Sequence, residues 1–430
     1  MGTRLLLPCF LVLLSCALCY AGSAGKEFAT AFMQNYLPHY GKARLQIQIS
    51  ALHADTKVKV SVPSLHFVQE KTLGAGEGTV IQLPANMEMD GSQRTPKTVR
   101  IEANQEVTVV SLNFKRYTAD TAVVYPVSEW GTEYYIFTPS SPPPGTFKEF
   151  SITNHKQRNT VQIFPRAPVR FQGKHYAPGN KISIELQPYE SMQIQGMHDL
   201  TGSRVLSTLP VAVSSGHTCT WKFSKCNHVY EQLVPVQNWG KNFLVAPLHF
   251  QTRYDSVYVQ ASQTTRVVLK SGGRDKVLRL NKGQAQEIQI TKDNGVLITA
   301  DHGIQVLYLF NGVRVSRSLM YDPFLMTVLP TDRFCSSYTL DGQADFDNKA
   351  IFLVRNGDMA GLRFDNAPLP RNVAFQRIDG TEFSWAEVPF KAGAGRHSAA
   401  HPTASFGVYS IGVSQMNGYG APAQCGQSVQ

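Results

Sequence analysis

Two histidines and two cysteines form a near-symmetric cluster whose side chains could bind a metal ion or form a disulfide. They lie in the segments His217-Thr218-Cys219 and Cys226-Asn227-His228. Two thiolates and two imidazoles could bind Zn²⁺ tetrahedrally. Alternatively, the cysteines could form a disulfide that closes a small loop and stabilises the fold by roughly 2–3 kcal/mol. We favour the disulfide if the chain enters an oxidising compartment, because disulfides form and persist there.

Two further groups have metal-ligand residue types without the context that a metal site needs. His397 and His401 have the i, i+4 spacing of ligands on a helix, but no Glu follows His397 and the neighbourhood is rich in glycine. Asp341, Asp345 and Asp347 could suggest Ca²⁺, yet the EF-hand spacing is absent. The sequence therefore predicts no metal ligands, no cofactor and no cofactor-binding residues.

No motif places a nucleophile, a base and an oxyanion donor together. The Gly-x-Ser-x-Gly elbow, the P-loop and the dinucleotide fingerprint are all absent from the sequence. We therefore predict no catalytic residues and a protein that is not an enzyme. A hydrolase with a site assembled from distant residues is the alternative.

The first residues have the features of a targeting segment. Arg4 is followed by an apolar run over residues 5–19, which is too short to span a bilayer as a helix, and then by small residues from position 21 to 24. We predict a signal peptide over residues 1–24, a secreted, extracellular protein and no membrane insertion.

Export would give the remaining cysteines a role in disulfides. Three of the seven cysteines fall in the signal segment, which leaves Cys219, Cys226, Cys335 and Cys425. We expect Cys219 to bond to Cys226. Cys335 and Cys425 would then pair within the chain. Alternatively, Cys425 forms a bridge to another copy, which would allow self-association.

The chain is positively charged, but its charge is spread along the sequence. It has 41 Lys and Arg against 31 Asp and Glu, a net charge of +10. No Lys/Arg run of the kind that binds nucleic acid occurs, so we predict no nucleic-acid partner. A diffuse positive field favours polyanions such as sialylated or sulfated glycans, or serves only to keep the protein soluble.

A repeated phrase divides the chain. Pro-Val-x-x-Trp-Gly occurs over residues 126–131 and again over residues 235–240, and it has decayed over residues 330–334. Repetition at a fixed interval is typical of a tandem array. We predict β-units over residues 25–130, 131–239, 240–330 and 331–430, the last with a C-terminal tail.

The repeated tryptophans and glycines are expected at the junctions between these units. A buried Trp would remove a large apolar area from water at each junction. A surface anchor for a ligand is the alternative for the tryptophans. We assign this structural role to Trp130, Gly131, Trp239 and Gly240.

Apolar residues alternate with polar ones in many short runs, for example over residues 45–49 and 182–186. A period of two is typical of half-buried strands, and Gly, Asn and Pro turn signals separate the runs. The sequence therefore predicts an all-β fold: a tandem array of about four antiparallel β-sandwich-like repeat units. A propeller is the main alternative, which we disfavour because each unit holds more strands than a blade.

The residues around the cysteines carry a resemblance to a known family. Residues 214–219, 226–233 and 235–240 closely resemble the N-terminal domain of the IgG Fc-binding protein family, and residues 25–33 are also similar to it. The resemblance covers essentially residues 25–422. It implies a secreted, mucosal or extracellular binding module. Full-length mucus members continue into cysteine-rich von Willebrand factor D repeats, so this chain is expected to be a short form without them.

These observations predict a secreted, non-enzymatic binding protein of extracellular fluid or mucus. Its expected partner is a secreted protein or glycan, with immunoglobulin Fc and mucin as candidates, and a role in innate immunity would follow. The alternative is a structural component of a secreted mucus or extracellular matrix that acts by self-association.

Overall fold

The structure is a computed structural model that describes residues 22–36, 41, 43–139, 145–392 and 396–426. Residues 1–21 of the predicted signal peptide lie outside the described residues. Ala24, the last residue of the predicted segment 1–24, begins a strand of the first sheet and pairs with Thr108. The described residues contain no α-helix, and the all-β prediction is confirmed.

The first sheet has seven strands arranged around one long strand, β7. Its strands are β1 Ala24–Thr30, β2 Arg44–Ala51, β3 Thr56–Val62, β4 Phe67–Leu73, β5 Gly78–Leu83, β7 Val99–Lys115 and β8 Thr118–Val124, while β6 Arg94–Thr95 pairs with the second sheet. The order is β4-β3-β7-β2-β5, and β1 and β8 also pair with β7. The part of β7 up to Ala103 pairs with β3, and the part from Val107 onward pairs with β2. One strand therefore belongs to both sides of a sheet that curls on itself.

The second and third sheets repeat this order. The second contains β9 Gly131–Tyr135, β10 Lys148–Thr153, β11 Asn159–Phe164, β14 Ile182–Leu186, β15 Ser191–Gly196, β16 Arg204–Thr220 and β17 Asn227–Gln232, with an added hairpin of β12 Val169–Phe171 and β13 Lys174–Tyr176. The third contains β18 Gly240–Val245, β19 Asp255–Ala261, β20 Thr265–Ser271, β21 Arg274–Leu280, β22 Ala285–Ile290, β23 Val296–Phe310 and β26 Phe324–Val328, with a hairpin of β24 Val313–Arg314 and β25 Met320–Tyr321. Their orders are β14-β11-β16-β10-β15-β6 and β21-β20-β23-β19-β22.

The last part of the chain divides the long strand in two. Its strands are β27 Ser337–Leu340, β28 Asp347–Arg355, β29 Arg363–Phe364, β30 Ala367–Pro368, β31 Gln376–Arg377, β32 Phe383–Phe390, β33 His397–Ala400, β34 Gly407–Ser414, β35 Asn417–Pro422 and β36 Gln424–Cys425. They form two five-stranded sheets, β30-β29-β33-β27-β36 and β31-β32-β28-β34-β35. Here β33 and β34 correspond to the two ends of β7. β29 pairs with β33 as β3 pairs with the first end of β7, and β28 pairs with β34 as β2 pairs with the second end.

The structure adds a detail to the predicted sandwich-like units. In the first three sheets the two sides share an unbroken long strand, so each unit is one curled sheet rather than two separate ones. Among the described residues, the part after residue 330 has its two sides as two separate five-stranded sheets. The count of four units stays a prediction, although the same strand order recurs throughout.

Alternating burial explains why these segments are strands. In β14, Ile182, Ile184 and Leu186 are buried while the residues between them are exposed. Successive side chains of a strand point to opposite faces, so one face of each curled sheet is apolar. The apolar clusters cross the boundaries between sheets: the cluster of the second sheet includes Leu307 and Leu325 of the third. The sheets therefore pack as one body with shared core residues.

Short 3-10 segments connect the strands at Pro63–Leu65, Ala85–Met87, Val127–Glu129, Val236–Asn238, Thr331–Arg333 and Met359–Gly361. We call four strands the closing strands: β8, β17 and β26, which are the last strands of the first three sheets, and β35 of the last part. Each of them is buried along its length. β8 lies against β17 and β35, and β26 lies against the same two strands. The closing strands therefore form a ring.

Candidate functional site

The ring of closing strands has two different ends. The connections that precede the closing strands lie at one end, the turn end: residues 116–117, 221–226, 311–323 and 415–416. Neighbouring connections touch there, since the Phe223 N–H donates to the Asn311 carbonyl (3.0 Å) and the Met416 N–H donates to the Met320 carbonyl (2.9 Å). The loops that follow the closing strands lie at the other end, the motif end: residues 125–131, 234–240 and 329–335.

The histidine and cysteine cluster lies at the turn end and contains a disulfide. Cys219 and Cys226 are bonded, with their Cα atoms 5.1 Å apart, so the two sulfurs are not available as thiolate ligands for zinc. His217 and His228 are buried, and burial lowers the pKa of both imidazoles to about 3. The Nδ1 atom of His217 accepts a hydrogen bond from the Cys219 N–H at 3.0 Å. Both histidines are therefore neutral parts of the interior.

The disulfide loop presents one aromatic side chain to solvent. Trp221 is 46% exposed. Its neighbours are held on the third sheet: the Lys222 Nζ atom lies 2.8 Å from Glu287 Oε1, and Phe223 packs edge-on against Tyr254 with ring centroids 5.0 Å apart. The loop is thus fixed by the disulfide, by an ion pair and by an aromatic contact, while Trp221 remains accessible.

Asn227 ties the closing strands together at the turn end. Its side-chain oxygen accepts a hydrogen bond from the Ala119 N–H at 2.7 Å. Its amide group donates to the carbonyls of Ala119 (2.7 Å), Pro323 (2.8 Å) and Gly418 (3.4 Å). One buried amide therefore links the closing strands β8 and β35 and the residue just before β26 to β17. Buried polar groups need such partners, so this contact fixes the position of four strands at once.

Asp120 makes a second link of this kind inside the ring. Its carboxylate accepts hydrogen bonds from the N–H groups of Thr121 (2.8 Å), Tyr230 (3.3 Å) and Leu325 (3.3 Å). Burial raises the pKa of Asp120 well above its usual value, and the neighbouring Glu231 raises it further. Asp120 therefore links β8 to β17 and β26 through buried polar contacts.

The repeated phrase forms the same local structure each time at the motif end. A proline in extended conformation precedes a 3-10 turn, and an aromatic residue in extended conformation follows it, at Pro126 and Trp130, at Pro235 and Trp239, and at Pro330 and Phe334. The indole N–H of Trp130 donates to the Tyr125 carbonyl (3.1 Å) and that of Trp239 to the Val234 carbonyl (2.9 Å). The decayed copy thus keeps the geometry although Phe replaces Trp.

Each glycine of the phrase lies against the proline of the next copy. A Cβ atom placed on these glycines would come within 2.4 Å of a proline Cβ for the first two pairs and within 2.3 Å for the third: Gly25 with Pro126, Gly131 with Pro235, and Gly240 with Pro330. Real Cβ atoms essentially never come so close. The close approach explains why glycine follows Trp in both intact copies, at Gly131 and Gly240.

Both tryptophans, which the sequence analysis assigned to the junctions, contact residues of a neighbouring sheet. Trp130 packs in one buried cluster with Ala29 of the first sheet and Ala212 of the second. Trp239 directly precedes the first strand of the third sheet, and its ring centroid lies 6.1 Å from that of Tyr135 in the second sheet. Both side chains are almost fully buried, so they are not surface anchors for a ligand.

The second disulfide also lies at the motif end. Cys335 and Cys425 are bonded, with their Cα atoms 5.9 Å apart, and tie the start of the last part to its end. This corrects the alternative in which Cys425 bridges to another copy: its sulfur is already bonded within the chain. One cavity is lined by both of these cysteines together with Trp239 and Gly240. Trp130 and Gly131 do not line it and lie at the first junction.

The other metal candidates are not brought together. His397 lies on strand β33, not on a helix, and its Nδ1 atom is 2.7 Å from Asp365 Oδ2. His401 Nε2 lies 3.0 Å from the Asp358 carbonyl. In the part of the chain that the structure describes, no group of three or more His, Cys, Asp and Glu side chains could hold a metal ion, and this includes Asp341, Asp345 and Asp347.

Sequence reasoning missed the residues that organise the turn end. In the sequence analysis, Asn227 occurs only within the cysteine cluster and the family segments, and Asp120 is not singled out. Trp221 carried a signal that could have been used: a Trp flanked by Lys222 between two cysteines of a short loop indicates an aromatic side chain held at the surface.

Comparisons with known proteins place the chain in a family. A family model described as IgGFc binding protein matches residues 120–412. The chain is 32% identical to the human IgGFc-binding protein over 406 residues, which make up 94% of this chain but 8% of that protein. The chain belongs to the IgGFc-binding protein family, and the family supports a role as a binding protein. Within the described residues, no helix is long and apolar enough to cross a membrane.

One solved structure was also compared with the chain. It is a Ca²⁺-stabilised adhesin with which an Antarctic bacterium binds ice, and it covers 94% of this chain and 99% of its own. The identity is 7% and the TM-score is 0.13, so this similarity supports no conclusion about fold or function.

Proposed function

We propose that the chain is a secreted, non-enzymatic binding module of extracellular fluid or mucus that recognises a protein ligand through its turn end. Immunoglobulin Fc is the first candidate, since the human relative is named for binding it. Mucin is the second. Both remain proposals for this chain, because it spans 8% of the length of that relative. The observation that carries the proposal is Trp221, an exposed Trp on a loop that a disulfide holds in place.

An exposed Trp on a fixed loop has the properties of an interface anchor. Trp, Tyr and Arg are enriched among the few residues that dominate binding energy, and a loop that is already ordered loses little entropy on binding. Tyr117 and Val315, on two other connections of the turn end, are 37% and 48% exposed. Together with Trp221 they give this face several large apolar side chains that a partner could cover.

The charge of the turn end favours an acidic partner surface. Exposed cationic side chains lie on three of its connections: Arg116, Lys225, Arg314 and Arg317. The acidic residue of these connections, Asp322, is largely buried and accepts a hydrogen bond from the Lys225 N–H, while Lys222 is paired with Glu287 of strand β22. Complementary charge accelerates association and weakens with salt.

Binding of immunoglobulin Fc and of purified mucin to the immobilised secreted chain would test this proposal. We expect the Trp221→Ala variant to weaken binding at least tenfold, because hot-spot truncations cost about 2 kcal/mol or more. Val277→Ala is the matched control, since Val277 is 49% exposed on β21 of the third sheet, outside the turn end. Equal binding by wild type and Trp221→Ala would exclude the turn end as the interface.

The matrix alternative makes a different prediction for solution behaviour. A structural component would form polymers, whereas the binding module should remain a defined species that captures its ligand. Light scattering of the secreted chain with and without reductant separates the two. A polymer that reductant dissolves would favour the matrix role and would mean that disulfides between chains replace a disulfide within the chain.

A further inference from the structure

The cavity at the motif end has the construction of a ligand site that the proposed function does not use. It has a volume of about 160 Å³ and lies where loops of all three curled sheets and the second disulfide meet. Tyr125, Val234 and Leu329 line it from the residues that directly precede the three prolines of the phrase. The repeat therefore brings equivalent positions of successive copies together around one space.

We propose that this cavity binds a small, mainly apolar organic molecule, about the size of a substituted benzene ring, that carries a hydrogen-bond acceptor. The walls are apolar side chains from different sheets: Val123, Phe243, Ile304, Val306 and Val328. A dry apolar cavity of about 150 Å³ in another protein holds benzene, so the volume here suits a molecule of that class.

Tyr125 supplies the reason for an acceptor on the ligand. It lines the cavity, and its hydroxyl group is buried without a hydrogen-bond partner among the described residues. Burial raises the pKa of Tyr125, so the group is a neutral phenol that can donate a proton. A buried donor without an acceptor is costly, and a ligand acceptor would remove that cost.

A polar chain at the wall of the cavity fixes its shape. The fourth residues of the three phrases contact one another: the Asn238 amide group donates to Glu129 Oε2 at 3.5 Å, and the Arg333 guanidinium donates to the Asn238 carbonyl at 2.9 Å. Arg333 Nη1 also lies 4.0 Å from Glu129 Oε2. With the Cys335–Cys425 bond beside them, these contacts hold the cavity in place before a ligand arrives, as is usual for small-molecule sites.

Anisole and ethylbenzene are suitable probes, because they have nearly the same shape and differ by an ether oxygen in place of a methylene. Titration of the secreted chain with each probe, followed by ligand-observed NMR, should give saturable binding of both. In Tyr125→Phe, we expect ethylbenzene to bind as in wild type. The preference for anisole over ethylbenzene should fall about fivefold relative to wild type, the usual value of one neutral hydrogen bond.

A filling substitution locates the probes. Val328→Phe places a ring in the cavity and should abolish binding of both probes, whereas Val277→Phe on the exposed face of β21 should leave it unchanged. If Val328→Phe does not fold, Val306→Phe replaces it, and Tyr125→Phe remains a conservative test. Trp221→Ala should bind both probes normally, which separates this site from the turn end.

The proposal is overturned by any of three results. The first is no saturable binding of either probe to the wild-type chain. The second is binding that survives in a folded filling variant, because the probes would then lie elsewhere. The third is an unchanged preference between the probes in Tyr125→Phe, because the ligand acceptor would then not meet the phenol.

Discussion

The two ends of the ring of closing strands are built in opposite ways. At the motif end, three successive loops have one geometry, and each glycine lies against the proline of the next copy. At the turn end, the four connections differ in length and content: two are two-residue turns, at residues 116–117 and 415–416, one is a disulfide loop and one contains an inserted hairpin. The glycine–proline contact recurs at each of these junctions, so the residues that make it can vary little between copies. The connections therefore vary more at the turn end than the loops do at the motif end, as is usual for loops that recognise a partner.

The two disulfides give the strongest test of this comparison, because one lies at each end. Cross-links that close longer loops remove more entropy from the unfolded chain. The Cys335–Cys425 bond spans 90 residues and the Cys219–Cys226 bond spans 7. Replacing both cysteines of a pair by serine should therefore cost about 4–5 kcal/mol at the motif end and about 2–3 kcal/mol at the turn end.

Urea unfolding of the two double-serine variants, followed by tryptophan fluorescence, measures both losses. Only the turn-end variant should also lose binding of the proposed protein ligand, because it releases the loop that carries Trp221. Equal losses of stability would contradict this expectation, because the length of the closed loop would then not decide what each disulfide contributes.

The next largest loss of stability is expected when a junction glycine is replaced. Gly131→Ala would place a methyl group 2.4 Å from the Cβ of Pro235, and the proline belongs to a fixed loop, so the neighbouring sheets would have to shift. Overpacking of this kind costs about 1–3 kcal/mol. Gly357→Ala is the matched control, because nothing lies within 4 Å of its added methyl group. Thermal unfolding of both variants checks this, and a Gly131→Ala protein as stable as the control would show that the junction is loosely packed.

The sequence predicted the motif end better than the turn end, for a physical reason. The Pro-Val-x-x-Trp-Gly phrase acts locally, so its repetition was enough to assign Trp130 and Trp239 to the junctions. Alternation of apolar residues likewise predicted strands such as β14. The polar contacts of the ring join residues far apart in the chain: Asn227 meets Ala119 and Gly418 only after the sheets have packed. Period and composition contain no information about such pairings, nor about the long strands that serve both sides of a sheet.

Glu129 allows a smaller and pH-dependent test at the motif end. Burial raises its pKa from 4.5 to about 7. Below pH 4.5, both the folded and unfolded chains hold this proton. Between pH 4.5 and 7 only the folded chain holds it. A rise in pH over this range therefore stabilises the unfolded chain relative to the folded chain, and the free energy of unfolding falls. Glu129→Gln removes this contribution, so its stability should fall less than that of wild type over that range. Unfolding measured at several pH values checks this, and parallel profiles would contradict it.

The smallest effect on stability should come from the residue with the largest expected effect on binding. Trp221 is 46% exposed, and its neighbours Lys222 and Phe223 make an ion pair and an aromatic contact that hold the loop. Trp221→Ala should therefore change the free energy of unfolding by less than about 0.5 kcal/mol, as is usual for surface positions. Urea unfolding of this variant beside the binding measurement separates the two roles. A large loss of stability would mean that Trp221 supports the fold, and the turn end would then resemble the motif end in being built for packing rather than for recognition.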